Sequence, residues 1–137
     1  NTVKHVDVSE PYCPGLRTAL LRAGIAQGGT LRSQATYVCT QGPRFETPAE
    51  IEMFRRLGGD LAGMTGVPEV VLAREAGTCY AAVALVTNLA AGMTDNKLSH
   101  EAFTGIRARY TAIIREIFFS VIPNSATTHC SCRHLLT

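Results

Sequence analysis

Apolar residues recur along the chain in two patterns, one with a period of two or an unbroken run and one with a helical period. The first pattern predicts strands at residues 1–7, 36–40, 60–65 and 79–87. The last of these runs is almost entirely apolar, which is typical of a strand buried on both faces. We therefore expect both faces of the strand at 79–87 to be covered.

The helical pattern begins with two segments that carry start signals. Ser9 as an N-cap, with Pro11 in the first turn, predicts a first helix that ends at a glycine pair. Thr47 predicts the cap of a second helix, because Pro48 follows at its first position and Glu50, three residues on, completes a capping box. The glycine- and proline-containing stretch just before Thr47 is expected to form a loop.

Two further helices are predicted in the second half of the chain. Pro68 is expected to open the third helix and Gly77 to close it. Ser99 is predicted to cap the last helix and Pro123 to stop it. An apolar stripe runs along this last helix and consists of Phe103, Ile106, Tyr110, Ile113, Ile114, Ile117, Phe118 and Val121.

Strands that alternate with helices predict an α/β fold, a mixed and largely parallel sheet flanked by helices. The length of 137 residues fits one domain or a piece of a larger one. We assign residues 1–123 to the domain and residues 124–137 to a polar tail with a Cys-x-Cys motif. Hydrophobic residues make up 46% of the chain, which excludes a globally disordered protein.

Charge and hydropathy exclude two classes of partner. The formal net charge is +2 and no dense basic run occurs, which argues against nucleic-acid binding. The longest unbroken apolar run covers residues 79–86 and is too short to span a bilayer, so no membrane partner is predicted. The chain does not open with a charged and then apolar leader, and we expect a cytoplasmic protein.

Three of the predicted strands end in unusual polar sequence, at residues 42–46, 63–66 and 87–88. Ligands of open α/β sheets bind beyond the carboxyl ends of the strands. An aromatic ring, a carboxylate, a hydroxyl and an amide there suit a planar heterocycle with an anion nearby. Each segment taken alone is also consistent with an ordinary turn. The residues predict a small-molecule site and leave its reaction open.

Four segments of the chain closely resemble the trimeric purine nucleoside phosphorylase and methylthioadenosine phosphorylase family. They are HVDVSEPYCP at 5–14, YVCTQGPRFETPAE at 37–50, GMTGVPEVVLAREAG at 63–77 and LVTNLAAG at 85–92. These motifs are long and follow one another over nearly the whole chain. The resemblance implies the nucleoside phosphorylase fold, of which residues 1–123 are the C-terminal part.

The resemblance implies reversible phosphorolysis by a homotrimer. A purine nucleoside and phosphate give the free purine and ribose 1-phosphate, with phosphate as a co-substrate and no metal or organic cofactor. The family's phosphate-binding Gly-Ser loop and Arg-His segment are not in this sequence. We expect little phosphorolysis from these residues alone, and the alternative is a non-catalytic purine-binding fragment.

The resemblance also implies roles for individual residues. Phe45 packs on the base, and Glu46 accepts a hydrogen bond from purine N1–H. Met64 lies along the ribose, and Thr65 binds phosphate. Asn88 is the catalytic residue, which bonds N7 and O6 as the leaving purine gains charge. The alternatives are structural: a ring beneath the loop, a helix-start carboxylate, a core methionine, a strand-end threonine and a turn-forming asparagine.

Substrate preference is read from four positions. Adenine-specific members have Asp where Asn88 and Ala90 stand, so this chain is expected to prefer 6-oxopurines, because an amide can donate to O6. The resemblance places His100 at the 5′ substituent, where it can bond a hydroxyl. It places His5 in the methylthio pocket of a neighbouring subunit. Each histidine is equally consistent with an ordinary surface side chain, and the 5′ group stays open.

The chain has five cysteines, an odd number that does not indicate a secreted disulfide scaffold. Cys39 and Cys79 are expected to be small buried hydrophobic residues. In the tail, residues 129–134 offer two thiols and two imidazoles, but their crowding makes one tetrahedral zinc site awkward, and no metal site is predicted. The alternatives for Cys130 and Cys132 are a disulfide, as in some heat-stable members of the family, and an unstructured tail.

Overall fold

The computed structural model describes residues 5–95, 100–127 and 130–132, with side chains for all of these except 100–103, 126 and 127. The described elements, in chain order, are helix α1 (Pro14–Ala26), strand β1 (Tyr37–Cys39), helix α2 (Pro48–Arg56), strand β2 (Leu61–Gly63), helix α3 (Gly66–Glu75), helix α4 (His100–Val121) and a 3₁₀ helix (Ile122–Thr127). No helix among these residues combines the length and apolar character needed to cross a membrane.

The β1 and β2 strands form a parallel pair, with Tyr37 opposite Leu61 and Cys39 opposite Gly63. Helix α2 makes the crossover between them, as parallel strands require. Its cap is the predicted one, since the Thr47 side chain accepts from the Glu50 N–H and the Glu50 carboxylate accepts from the Thr47 N–H. This β–α–β unit confirms the predicted strand, capping box and helix in this part of the chain.

The predicted start of the first helix was wrong. Helix α1 begins at Pro14, with Cys13 as its N-cap residue at φ −59° and ψ 118°. A residue that precedes proline avoids the helical conformation, so a helix that started at Ser9 could not pass through Cys13. The Ser9 N–H instead donates to Asp7 Oδ1 at 2.8 Å. Local turn chemistry therefore replaced the expected cap.

Other predicted boundaries fall within a few residues of the observed ones. Helix α3 starts at Gly66 rather than at Pro68, which occupies its first turn, where a missing N–H is tolerated. Helix α4 ends at Val121, shortly before Pro123, as predicted. The predicted cap Ser99 lies outside the described residues, and so do residues 1–4 of the predicted first strand, in which Val6 makes a single β-bridge.

The prediction of a doubly buried strand at residues 79–87 was wrong. These residues join no described sheet, and from 81 to 87 odd positions are half-buried while even positions are exposed. Period-two burial is typical of extended chain covered on one side. The segment receives a backbone hydrogen bond from Cys13 N–H to Tyr80 O at 2.8 Å. Within the described residues it lacks the two neighbouring strands that would bury both faces.

The chain forms two compact units. The first draws on residues 1–33, 66–83 and 113–137, and the second on residues 34–65 and 84–112. The core of the first unit is formed where α1 meets α4, by Leu20, Ile117 and Val121. The second unit contains the β1–α2–β2 crossover, in which Ile51 of α2 is buried.

Cys39 and Cys79 are half-buried rather than fully buried as predicted, and Cys130 and Cys132 of the predicted tail are among the described residues. Cys132 is 2% exposed, and the Cys79 and Cys130 sulfurs lie 3.2 Å apart, so the tail cysteines pack into the first unit. The Cys132 N–H, followed by the Cys79 thiol, lowers the pKa of Cys130 to about 7. Burial raises the pKa of both Cys79 and Cys132. Cys39 is half-buried in β1.

Candidate active site

A cavity of about 320 Å³ lies in the second unit, where β2 ends. It is lined by Phe45, Glu46, Ala62, Gly63, Met64, Thr87, Asn88 and Ala90. The loop after β1 supplies the ring and the carboxylate, the end of β2 supplies Met64, and the chain after residues 79–87 supplies Asn88. The structure thus brings together side chains from all three segments in which the sequence predicted a ligand site.

Glu46 is held in the cavity by a threonine that sequence reasoning missed. The Thr40 hydroxyl donates to Glu46 Oε1 at 2.5 Å. Thr40 is itself fixed, because its N–H donates to Gly63 O at 2.8 Å and so extends the β1–β2 pairing by one residue. The Thr40 contact orients the half-buried carboxylate and leaves Oε2 for a further donor. The sequence shows a hydroxyl residue at the end of a predicted strand but does not show its partner six residues on.

A second missed residue, Arg44, anchors the loop that carries Phe45 and Glu46. Its guanidinium makes a two-pronged ion pair with Glu50, with N–O distances of 2.6 and 2.9 Å, and also donates to Phe45 O at 3.1 Å. The Arg44 hydrogen bond, followed by those from Thr47, lowers the pKa of Glu50 to about 2. The cap of α2 and the anchor of the loop therefore share one carboxylate.

Asn88 has a defined orientation. Thr87 Oγ1 donates to Asn88 Oδ1 at 2.7 Å, and Asn88 Nδ2 donates to Leu89 O at 2.8 Å. An amide has two donor hydrogens and two acceptor lone pairs, and these local bonds use one of each. The exposed Asn88 amide retains one donor and one acceptor with which to hold a ligand.

The Asn88 segment is followed by a glycine that the packing requires. Gly92 has φ +77°, and a Cβ atom there would lie 2.6 Å from Pro48 Cβ. Only glycine lets the chain pass so close to the first turn of α2. Close approach at Gly92 brings the loop after Asn88 against helix α2, which carries Glu50, the ion-pair partner of Arg44.

Phe45 and Met64 give the cavity its apolar walls. Phe45 is 45% exposed and lines the cavity, so its ring is not a plug in the protein core. Met64 is half-buried, and its sulfur lies so close to Gly42 that a Cβ there would be 3.0 Å away. An accessible ring beside a polarizable thioether suits a flat ligand.

Two predicted site residues, Thr65 and His5, are not among the described residues that line the cavity. Thr65 is exposed and follows Met64 without lining the cavity. His5 is exposed and belongs to the first unit. The side chain of His100 lies outside the described residues, although its backbone begins α4. The cavity therefore has the groups suited to a planar base, and Thr65, the predicted phosphate contact, is not part of its lining.

The profile of the phosphorylase superfamily matches residues 1–123. This chain belongs to the phosphorylase superfamily. The match confirms the resemblance that the sequence motifs indicated, and it includes residues of both compact units. Within the superfamily, the cavity that holds Glu46 and Asn88 is the candidate site of catalysis.

Relatives in the superfamily match this chain over nearly all of its length and over about half of their own. It is 64% identical over 133 residues to the probable S-methyl-5′-thioinosine phosphorylase of Methanopyrus kandleri, covering 94% of this chain and 52% of that protein. It is 47% identical over 135 residues to the 6-oxopurine nucleoside phosphorylase of Pyrococcus furiosus, covering 98% and 51%. The chain spans about half the length of the curated relatives it matches.

Solved structures confirm the predicted α/β nucleoside phosphorylase-like fold. A methylthioadenosine phosphorylase from an Antarctic soil metagenomic library has a TM-score of 0.85 at 32% identity, over 98% of this chain and 49% of that one. The methylthioadenosine phosphorylase from Schistosoma mansoni in complex with adenine has a TM-score of 0.83 at 25% identity, over 97% and 52%. Backbone geometry is therefore shared with members of the superfamily across a wide range of sequence.

Proposed function

We propose that the full-length protein cleaves 6-oxopurine nucleosides by phosphorolysis. Phosphate attacks C1′ of the sugar, the glycosidic bond to the purine breaks, and the products are the free purine and ribose 1-phosphate or its 5-methylthio form. The observation that carries this proposal is that Glu46 and Asn88 line the same cavity as Phe45. The names of the relatives, 6-oxopurine nucleoside phosphorylase and S-methyl-5′-thioinosine phosphorylase, support it.

Selectivity for an oxygen at purine C6 follows from the donors and acceptors in the cavity. Glu46 Oε2 accepts from N1–H, and the Asn88 amide donates to O6. A 6-aminopurine has an acceptor at N1 and a donor at C6, so both contacts would be mismatched. Leaving hydrogen-bonding groups unpaired in this way costs several kcal/mol and can reject a substrate by about 10⁴-fold.

Asn88 serves catalysis as well as binding. Negative charge builds on the purine as the glycosidic bond breaks, and it concentrates on N7 and O6. An amide that is already oriented by Thr87 and Leu89 stabilises that charge without reorganisation. N7 takes up a proton from solvent as the purine departs, and Asn88 Oδ1 then accepts from N7–H.

The remaining roles belong to the same proposal. Thr65 supplies one phosphate contact, Met64 lies along the ribose, and His100 and His5 face the 5′ substituent, His5 from a neighbouring subunit. Phosphate is a co-substrate, and no organic cofactor is needed for this reaction. Residues 1–123 form the C-terminal part of the catalytic domain. The cytoplasmic location expected from the sequence stays a prediction.

A homotrimer, which the family resemblance implies, is part of the proposal, and exposed apolar side chains support further burial in an assembly. Leu57 is 78% exposed, and Leu72 and Phe119 are each 63% exposed. In the full-length enzyme these side chains are covered by further parts of the enzyme and by neighbouring subunits. Light scattering coupled to gel filtration of the full-length protein should give three times the chain mass.

A substrate panel tests the reaction. Inosine, 5′-methylthioinosine and 5′-methylthioadenosine are incubated with the full-length protein, with and without phosphate, and the free base is measured. We expect phosphate-dependent release of hypoxanthine from the first two and little adenine from the third. Base release that does not depend on phosphate would exclude phosphorolysis.

The base-site assignment is tested by Asn88→Asp. A carboxylate accepts from a 6-amino group, so the variant should lose activity on inosine and gain relative preference for 6-aminopurine nucleosides. The ratio of kcat/KM for inosine to that for adenosine is the measurement. An unchanged ratio would show that Asn88 does not contact position 6 of the base.

The second candidate function is purine binding without turnover. It is favoured by one observation, that Thr65 does not line the cavity that holds the base-binding groups. Calorimetry with hypoxanthine, together with the substrate panel, separates the two. Heat of binding in the full-length protein with no turnover of any nucleoside would select the binding module.

A further inference from the structure

The first compact unit contains a cluster of four cysteines that the proposed function does not use. Their sulfur atoms all lie within 4.8 Å of one another. Cys13 precedes α1, Cys79 follows α3, and Cys130 and Cys132 come from the C-terminal segment. Three separate stretches of chain therefore converge on one point.

We propose that Cys13, Cys79, Cys130 and Cys132 form a structural tetrathiolate site for one zinc ion. The site is distinct from the zinc site weighed for the tail from sequence, because it takes two of its ligands from outside the tail. It needs neither His129 nor His134, which lie outside the described residues.

The spacing of the sulfurs suits a single metal ion. Four Zn–S bonds of about 2.3 Å in a tetrahedron hold the sulfurs about 3.8 Å apart. In the structure the Cys79 and Cys130 sulfurs are 3.2 Å apart and no pair exceeds 4.8 Å. Shifts of half an ångström to an ångström, within the reach of side-chain rotation, complete the tetrahedron. A four-iron cluster would need the sulfurs farther apart.

Backbone contacts hold the ligands in place. Cys13 N–H donates to the carbonyl of Tyr80, the residue after Cys79, at 2.8 Å, which ties the first two ligand segments together. The Cys79 and Cys130 sulfurs are 3.2 Å apart, which places the second ligand segment against the C-terminal segment.

Burial of the cluster is typical of a closed, structural metal site. Cys13 is 0% exposed and Cys132 is 2% exposed, while Cys79 and Cys130 are half-buried. All four coordination positions would be filled by protein, which leaves none for a substrate or water. Zinc suits such a site because it is redox-inert and accepts four thiolates in a tetrahedron.

Two disulfides are the competing outcome for the same cysteines. A disulfide joins one pair at about 2.05 Å and separates it from the others. In the structure all four thiols are free and gather around a common centre rather than in two pairs. A bond between Cys130 and Cys132 would also close a tight ring across one residue. The geometry thus favours a shared ion over pairwise bonds.

Zinc binding balances as a ligand exchange. Each thiol that is still protonated loses its proton to solvent as a Zn–S bond forms, so up to four protons are released and no oxidant is needed. The ion then joins residue 13 to residue 79 and both to the C-terminal segment. The ion would act as a cross-link that closes long loops and so stabilises the folded state around the small core at Leu20 and Ile117.

Metal analysis of the full-length protein tests the site. The protein is produced in zinc-supplemented medium and purified with a reductant, and metals are measured by plasma mass spectrometry. We expect one zinc per chain, and X-ray absorption at the zinc edge should show four sulfur neighbours at about 2.3 Å. This measurement needs no variant, so it stands even where a cysteine variant fails to fold.

Matched variants locate the ligands. Cys79→Ser should lower the zinc content at least tenfold, and Cys39→Ser, which changes the remaining cysteine on β1, should leave it unchanged. Equal loss in both variants would overturn the assignment. So would zinc with nitrogen or oxygen ligands, iron in its place, metal-free protein with four reactive thiols, or a chain mass lowered by the hydrogens of two disulfides.

Discussion

The cavity and the cysteine cluster are assembled in opposite ways. The cavity takes its functional groups from positions that local signals mark, at strand ends and beside a helix cap, and those groups remain open to solvent. The cluster takes its groups from segments with no shared signal, the residues before α1 and after α3 and the C-terminal segment, and encloses them. Exposure with local order suits a site that must exchange substrates, whereas enclosure suits a site that holds chain segments together.

The largest expected effect separates catalysis from stability at Asn88. Asn88→Ala removes the group that stabilises charge on the leaving purine, so kcat should fall by roughly 10²–10³-fold. The melting temperature and the zinc content should stay at wild-type values, because the hydrogen bonds of this side chain to described residues join it to Thr87 and Leu89, its neighbours in the chain. Steady-state kinetics with inosine and a thermal melt are the measurements. A large fall in melting temperature would assign Asn88 a structural role instead.

The opposite result is expected at Cys79, where a substitution should lower stability and leave turnover nearly unchanged. Cys79→Ser should reduce stability by about 2–4 kcal/mol, comparable to the loss of a cross-link that closes a long loop. Turnover at a temperature well below the melt should be nearly unchanged. Denaturant midpoints and low-temperature kinetics check both statements, with Cys39→Ser as the control. An unchanged denaturant midpoint in Cys79→Ser would show that the cluster does not cross-link the fold.

A smaller effect is expected where the cavity depends on a positioning residue. Thr40→Val removes the hydroxyl that orients Glu46, a neutral-to-charged hydrogen bond of about 1.5–3 kcal/mol. We expect kcat/KM for inosine to fall by about tenfold or more in Thr40→Val. Thr40→Ser keeps the hydroxyl, so its kcat/KM should stay close to that of the wild type. If Thr40→Ser lost as much activity as Thr40→Val, the threonine methyl group would be important for packing and the hydroxyl would not orient Glu46.

The smallest effect is expected in the pH dependence of the loop anchor. The pKa of Glu50 is lowered to about 2 from an ordinary value of 4.5, chiefly by Arg44. Its stabilising contribution is therefore fully present above pH 4.5 and lost as the pH falls towards 2. The melting temperature of wild type should exceed that of Glu50→Gln at pH 6, and the gap should narrow on acidification. A gap that widens at low pH would contradict the ion pair.

Some helix and strand boundaries could be predicted from the local sequence and others could not. Thr47, Pro48 and Glu50 carry the chemistry of a helix start within four residues, so the cap of α2 formed as predicted. The start of α1 was missed because the Cys13–Pro14 step overrides a good N-cap candidate at Ser9. The strand predicted at 79–87 failed because a ladder depends on neighbours that the local sequence does not show.

The site residues also divide into those that local sequence predicted and those that only the structure revealed. Phe45, Glu46, Met64 and Asn88 were predicted from strand ends and motifs, and the structure places them around one cavity. The support from Thr40 and Arg44 could not be predicted, because each contact joins residues six positions apart across a loop. Their role as catalytic and binding groups stays a prediction for the kinetic tests above.

Sequence by itself determined the superfamily, the β1–α2–β2 crossover and the chemical groups available to a purine, because these depend on motifs and on residues close along the chain. Only the tertiary structure decided that Thr40 orients Glu46 and that thiols from residues 13, 79, 130 and 132 meet within 4.8 Å. The physical reason is that long-range convergence is set by how helices and strands pack. A cysteine's local surroundings carry no record of its distant partners.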